Sequence, residues 1–200
     1  MRLRRIITGA IAALSLGGLL AGPSTAQGAA PAEDAAAADF QSLFEITPMT
    51  VNGSYTPLLG NWCTEGDSFG FVIWYAPGPG ADSLWSAPIG LSPEPPFSSQ
   101  PMTINGTYTP ILGDFDDNSC TDILWYAPGT APDSIWYGDL GGGFTSKPLT
   151  LNGTYTPVVG RYFNPELGGC VSCDGIYWYS TNGGTESIWH GTTSRAFTSH

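Results

Sequence analysis

Positive charge is almost missing from this chain. Its 200 residues hold 6 Lys and Arg against 17 Asp and Glu. Arg2, Arg4 and Arg5, half of those cations, stand in the first five residues. An apolar run over residues 6–20 follows, then small residues with cleavage points after Ala26 or Ala30. That order is the pattern of a secretory signal peptide, which places the protein outside the cell. The run is shorter than the ~20 residues a bilayer requires, which argues against stable membrane insertion. Without residues 1–26 the chain keeps only Lys147, Arg161 and Arg195 against all 17 carboxylates, a net charge of 3 − 17 = −14. Such a surface repels nucleic acid and anionic membranes and favours cations and neutral ligands.

Other absences narrow the chemistry. His190 and His200 are the only histidines, and no Gly-x-Ser-x-Gly elbow occurs. A nucleophilic triad therefore has little support. Glycosidase chemistry needs two facing carboxylates, and no spacing here singles out a pair. Cys170-Val171-Ser172-Cys173 has the form of a zinc half-site, but no second cysteine pair and too few histidines exist to complete it. Export makes disulfides the default for Cys63, Cys120, Cys170 and Cys173. Of the three pairings, Cys63–Cys120 with Cys170–Cys173 is preferred. Sustained helical periodicity is also missing after the Ala-rich leader at residues 27–39, so residues 40–200 read as one all-β domain.

What the chain has in abundance is repetition. Val51-Asn52-Gly53-Ser54-Tyr55-Thr56-Pro57 returns at Ile104-Asn105-Gly106-Thr107-Tyr108-Thr109-Pro110 and again at Leu151-Asn152-Gly153-Thr154-Tyr155-Thr156-Pro157. The spacings are 53 and 47 residues, the period of a repeat architecture. Repeats of about residues 49–101, 102–148 and 149–200 follow. Each carries four strand signals, such as Asp122-Ile123-Leu124-Trp125-Tyr126, rich in aromatic and β-branched residues and separated by Gly and Pro. Phe44-Glu45-Ile46-Thr47-Pro48-Met49 resembles a fourth strand without its own first three. The third repeat ends at Phe197-Thr198-Ser199-His200, where its fourth strand is due to begin, so the orphan strand is expected to complete it. Two architectures fit: a β-propeller with three four-stranded repeats, or a β-trefoil-like pseudo-threefold arrangement. Propellers usually have at least four blades, so a homodimer that completes a ring of six is the corresponding partner expectation. Asn52, Asn105 and Asn152 also match glycosylation sequons, but their recurrence at one spot reads as turn chemistry.

One loop carries a chemical pattern. In Gly113-Asp114-Phe115-Asp116-Asp117-Asn118-Ser119-Cys120-Thr121-Asp122, oxygen side chains occupy loop positions 1, 3, 5 and 9: Asp114, Asp116, Asn118 and Asp122. Alternate residues of a tight loop can point at one centre, and a hard cation such as Ca²⁺ takes six to eight oxygens. The competing account is an Asx-rich turn. Pro110-Ile111-Leu112-Gly113-Asp114-Phe115-Asp116 running into Thr121-Asp122-Ile123 resembles the FG-GAP/VCBS repeat, which has a Gly-Asp-Phe-Asp-Gly-Asp-Gly type calcium loop before an apolar strand. The resemblance implies a β-propeller and one Ca²⁺ in the second repeat. Asp117 and Ser119 stand where that family carries glycines, so both must enter a turn that glycine enters more easily. The corresponding loops at residues 61–67 and 161–166 have lost the spacing.

The remaining candidates are aromatic. Trp85, Trp136 and Trp189 each follow a carboxylate by three residues: Asp82, Asp133 and Glu186. An indole face and a carboxylate together form the elements of a sugar site. The competing account is a core aromatic and an acid that caps a turn. The expected function is an extracellular calcium-binding module for carbohydrate or a cell-surface partner. A hydrolase with its site among the loops and a structural or adhesion protein are the alternatives.

Overall fold

A computed structural model describes residues 49–64, 67–86, 97–162 and 170–200, all within the compact unit Pro48–His200. The signal segment, the leader and the orphan strand signal before Met49 lie outside the described residues. The first repeat gives β1 (Thr56–Thr64), β2 (Asp67–Tyr75), β3 (Asp82–Ser86) and β4 (Ser98–Met102). The second gives β5 (Thr109–Gly113), β6 (Asp122–Tyr126), β7 (Asp133–Gly138) and β8 (Phe144–Leu149). The third gives β9 (Thr156–Gly160), β10 (Gly175–Tyr179), β11 (Ser187–Thr192) and β12 (Ala196–Ser199). Each repeat is its own four-stranded antiparallel sheet with neighbours in chain order. The protein is thus all-β, and no described helix is long and apolar enough to cross a membrane.

One expectation is corrected here. The third sheet has its fourth strand from its own repeat, because β12 pairs with β11 from Trp189↔Ser199 to Thr192↔Ala196. The backbones of Ile188 and His200 extend that ladder. A tight turn, closed by Arg195 N donating to Thr192 O at 2.9 Å, reverses the chain early enough for four residues to pair. In the first repeat, the hairpin runs nine residues on each strand, from Thr56↔Tyr75 to Thr64↔Asp67. That stretch has no run of alternating acids to bend it, so the ladder continues where the second repeat breaks into its acidic loop.

The core lies between sheets, and strand alternation explains it. Successive residues of a strand face opposite sides. Ile73 and Tyr75 of β2 pack with Ile123 and Trp125 of β6 in one cluster. Leu124 and Tyr126 of β6 pack with Ile176 and Trp178 of β10 in the other. The middle strand β6 is therefore buried at all five positions. Each junction is reinforced by an aromatic pair, Tyr75–Trp125 at 5.1 Å and Tyr126–Trp178 at 5.2 Å between ring centroids.

Polar links repeat at both junctions. The Tyr75 hydroxyl donates to Gly106 O and accepts from Tyr108 N; Tyr126 does the same with Gly153 O and Tyr155 N. Gly78 bridges to Gly106, and Gly129 to Gly153. The Asn-Gly segments thus act as docking turns between sheets, with Gly106 at φ 138° and Gly153 at φ 133°. Both positions lie in a region that L side chains rarely enter. Asn52, Asn105 and Asn152 are all exposed.

Candidate functional site

The acidic loop sits where three repeats meet. Its own repeat frames it with β5 and β6. Repeat 1 ties it through the Cys63–Cys120 disulfide, with Cα atoms 5.5 Å apart, and through Thr121 N donating to Asn61 O at 3.1 Å. Repeat 3 ties it through Asp174, whose Oδ2 accepts from Asp114 N at 2.9 Å while its own N donates to Asp114 O at 2.7 Å. Gly191 lies against the Phe115 carbonyl so closely that a Cβ would collide with it. Cys170–Cys173 closes the loop before Asp174. Two disulfides suit an oxidising compartment.

Within the loop, Asp114, Asp116 and Asp122 each offer a carboxylate oxygen, and these atoms lie within 4.8 Å of one another. Asp122 is fully buried and accepts from Gly138 N at 2.8 Å and Phe115 N at 2.7 Å. Asp114 accepts from Asn118 N at 3.2 Å and Ser119 N at 2.9 Å. Burial raises the Asp122 carboxyl to about 7, with Asp116 and Asp114 adding to the rise against the two amide bonds. Burial also raises Asp114, and Asp116 again contributes. Asn118 stands beside the cluster with its nitrogen inward. Its Nδ2 donates to Asp116 Oδ2 at 3.2 Å and Gly138 O at 2.7 Å, while its oxygen accepts from Cys120 N.

Two features of this site escape the sequence pattern. Arg195, from the turn before β12, donates Nε to Asp116 Oδ2 at 2.8 Å and Nη1 to Asp139 Oδ1 at 2.7 Å. Its φ is 58°, a left-handed conformation that the equivalent Gly142 enters at φ 81°. A side chain held there costs on the order of 1–2 kcal/mol, so the ion pairs offset local strain. The second feature is Asp116 Oδ1, which is buried without a hydrogen-bond partner among the described residues. The chain's few cations were the available signal for Arg195, but nothing local in sequence aims it at Asp116.

A divalent cation fits this donor set. Arg195 is shared between Asp116 and Asp139, so no full positive charge balances the three clustered carboxylates, and one buried oxygen has no donor. Close-packed carboxylates resist joint ionisation unless a cation balances them. Asp117 at φ 61° and Ser119 at φ 65° do enter the left-handed region. Both are exposed. Ser119→Gly is therefore expected to raise stability by about 0.5 kcal/mol, strain relief of ~1–2 kcal/mol less the greater chain entropy of glycine. Asp117→Gly is expected to gain less, because Asp tolerates this region better than Ser. The shift in urea midpoint of each variant reads this out.

The candidate sugar-site acids occupy different surroundings. Asp82 is buried, its Oδ1 accepting from Ala76 N at 2.8 Å and its Oδ2 from Ile104 N at 2.7 Å. Asp133 repeats this with Ala127 N and Leu151 N, both at 2.8 Å. Each ties its own turn to the start of the next repeat. Glu186 is exposed and accepts from the Tyr177 hydroxyl. Trp85, Trp136 and Trp189 are half-buried and stack edge-on against Trp74, Trp125 and Trp178. Trp189 lines a cleft of ≈ 310 Å³ with Ile135, Leu149 and Phe197 on its apolar side and Lys147 among its polar residues. No family model, no curated protein and no solved structure matches this chain, so the likeness of the acidic loop to FG-GAP/VCBS repeats stands on its own residues.

Proposed function

We propose that this chain is a secreted, calcium-binding, FG-GAP/VCBS-like β-propeller-type protein that acts as an extracellular binding module. The observation that carries the metal reading is Asp116 Oδ1, a buried carboxylate oxygen without a donor in a cluster of three acids. Asp114, Asp116 and Asp122 would hold the ion. Its contribution would be structural: positive charge at the point where ties from the first and third repeats converge on the second. Four-stranded meanders packed face to face in chain order support the blade reading.

For the ligand, the cleft at Trp189 is the best-formed candidate. It presents an indole and an apolar wall, with Lys147 and Ser199 as polar partners. Aromatic surface with a few placed polar groups is how neutral sugars are held. Asp82 and Asp133 have both oxygens engaged by backbone amides, so the carbohydrate reading rests on the third repeat. Glycan-array binding is expected with calcium, to weaken in chelator, and to fall about tenfold or more in Trp189→Ala. An array with no glycan bound in either condition would rule out the carbohydrate reading while leaving the metal site to its own test.

A further inference from the structure

The two ends of the three-sheet array carry the same chemistry as the two junctions inside it. At each junction, one repeat offers a tail face and the next offers a head. The tail includes the first apolar residue of the inner strand and the tyrosine ending the second strand. The head includes the aliphatic residue before Asn-Gly and the tryptophan of its second strand. Inside the array these residues are core: Leu58 and Ile111 are both 4% exposed, Tyr75 0%, Tyr126 1%, Ile104 4% and Leu151 8%.

At the outer faces the equivalent residues are uncovered. The tail of the third repeat exposes Val158 at 45% and Tyr179 at 44%. The head of the first exposes Val51 at 38%. Trp74 is half-buried, whereas Trp125 and Trp178 each pack on a tyrosine of the preceding repeat. Among the described residues, Gly53 N and O and Tyr55 N also have no counterpart of the links made at Gly106, Tyr108, Gly153 and Tyr155. Position by position, the tail lacks what the head displays.

We propose that a second copy of this chain docks head-to-tail at these faces, so that two copies close one ring of six sheets through two equivalent junctions. Tyr179 of each copy packs on Trp74 of the other, and its hydroxyl donates to Gly53 O and accepts from Tyr55 N. A head-to-tail contact closes a ring when its rotation divides the circle, and six blades lie within the usual range. The tail departs from its internal counterparts in one respect. Asn182 stands at the position of Gly78 and Gly129, so the apolar faces and the tyrosine carry the contact without the glycine bridge. This inference does not depend on the calcium or ligand reading.

Sedimentation equilibrium of the full chain is expected to give twice the chain mass. Tyr179→Ala, at an exposed position, is expected to weaken the dimer by about a thousandfold, roughly thirtyfold for the anchoring aromatic truncated at each of the two junctions. Val51→Asp is expected to do the same from the head side. A chain carrying both substitutions is expected to be monomeric, because each junction then loses its tail and its head anchor. A monomeric wild-type chain overturns the proposal and assigns the faces to another segment. An open-ended polymer, or a dimer untouched by both substitutions, also overturns it.

Discussion

Asp133→Ala is expected to cost about 3–5 kcal/mol of folding stability, while Glu186→Ala at the equivalent position costs less than about 0.5 kcal/mol. Asp133 is 3% exposed and accepts from two buried backbone amides, Ala127 N and Leu151 N. Alanine leaves both donors without a partner, and each orphaned donor facing a former carboxylate costs on the order of 1.5–3 kcal/mol. Asparagine restores one acceptor and turns an NH₂ toward the other amide, so Asp133→Asn should lose about half as much. Asp82→Ala should behave like Asp133→Ala, since Asp82 makes the same pair of bonds. Glu186 is exposed and bonds only the Tyr177 hydroxyl among the described residues, so its loss removes no buried tie. Chemical denaturation of the three alanine variants measures the contrast. A sugar-binding role for the repeated acid would give the reverse pattern: intact stability and lost binding at all three positions.

That contrast shows what a repeat pattern reveals and what it hides. The strand plan was legible because aromatic and β-branched residues alternate on a period-two surface, and because Gly and Pro mark each gap. The loop acids were legible because their spacing is local, and the structure brings Asp114, Asp116 and Asp122 together. Arg195 was not legible. Its guanidinium reaches Asp116 across 79 positions, and only the packing of the third sheet on the second makes that contact. Asp174 was hidden for the same reason, since its bonds to Asp114 span 60 positions. The buried clamps at Asp82 and Asp133 shared a sequence signature with Glu186, and only burial separates them. The position of β12 was legible, but not that so short a strand completes the third sheet by itself, because four residues leave almost no periodicity to read.

Calcium at about one hundred times its dissociation constant is expected to raise stability by about 2.7 kcal/mol, the linkage value for a ligand that binds only the folded chain. For a domain of this size that corresponds to a melting shift of roughly 5–10 °C. Asp116→Ala should abolish the shift, because Asp116 supplies the buried oxygen without a donor. Asp114→Ala should abolish it as well, since its carboxylate is one of the three that converge. The pH dependence has a definite sign. Burial raises the Asp122 carboxyl to about 7 in the metal-free fold, above its value in the unfolded chain. The folded protein then holds a proton that the unfolded chain has released, so this group lowers metal-free stability as pH rises from about 4 to about 7. A bound cation takes the place of that proton. The melting shift produced by calcium should therefore be small near pH 6 and larger near pH 8, levelling off above about 7 once Asp122 no longer has a proton to lose. An equal shift at both values would mean that Asp122 keeps its ordinary ionisation and stands outside the metal's coordination. No shift at either value would mean instead that Arg195 balances the loop without a metal and that the three acids hold no calcium.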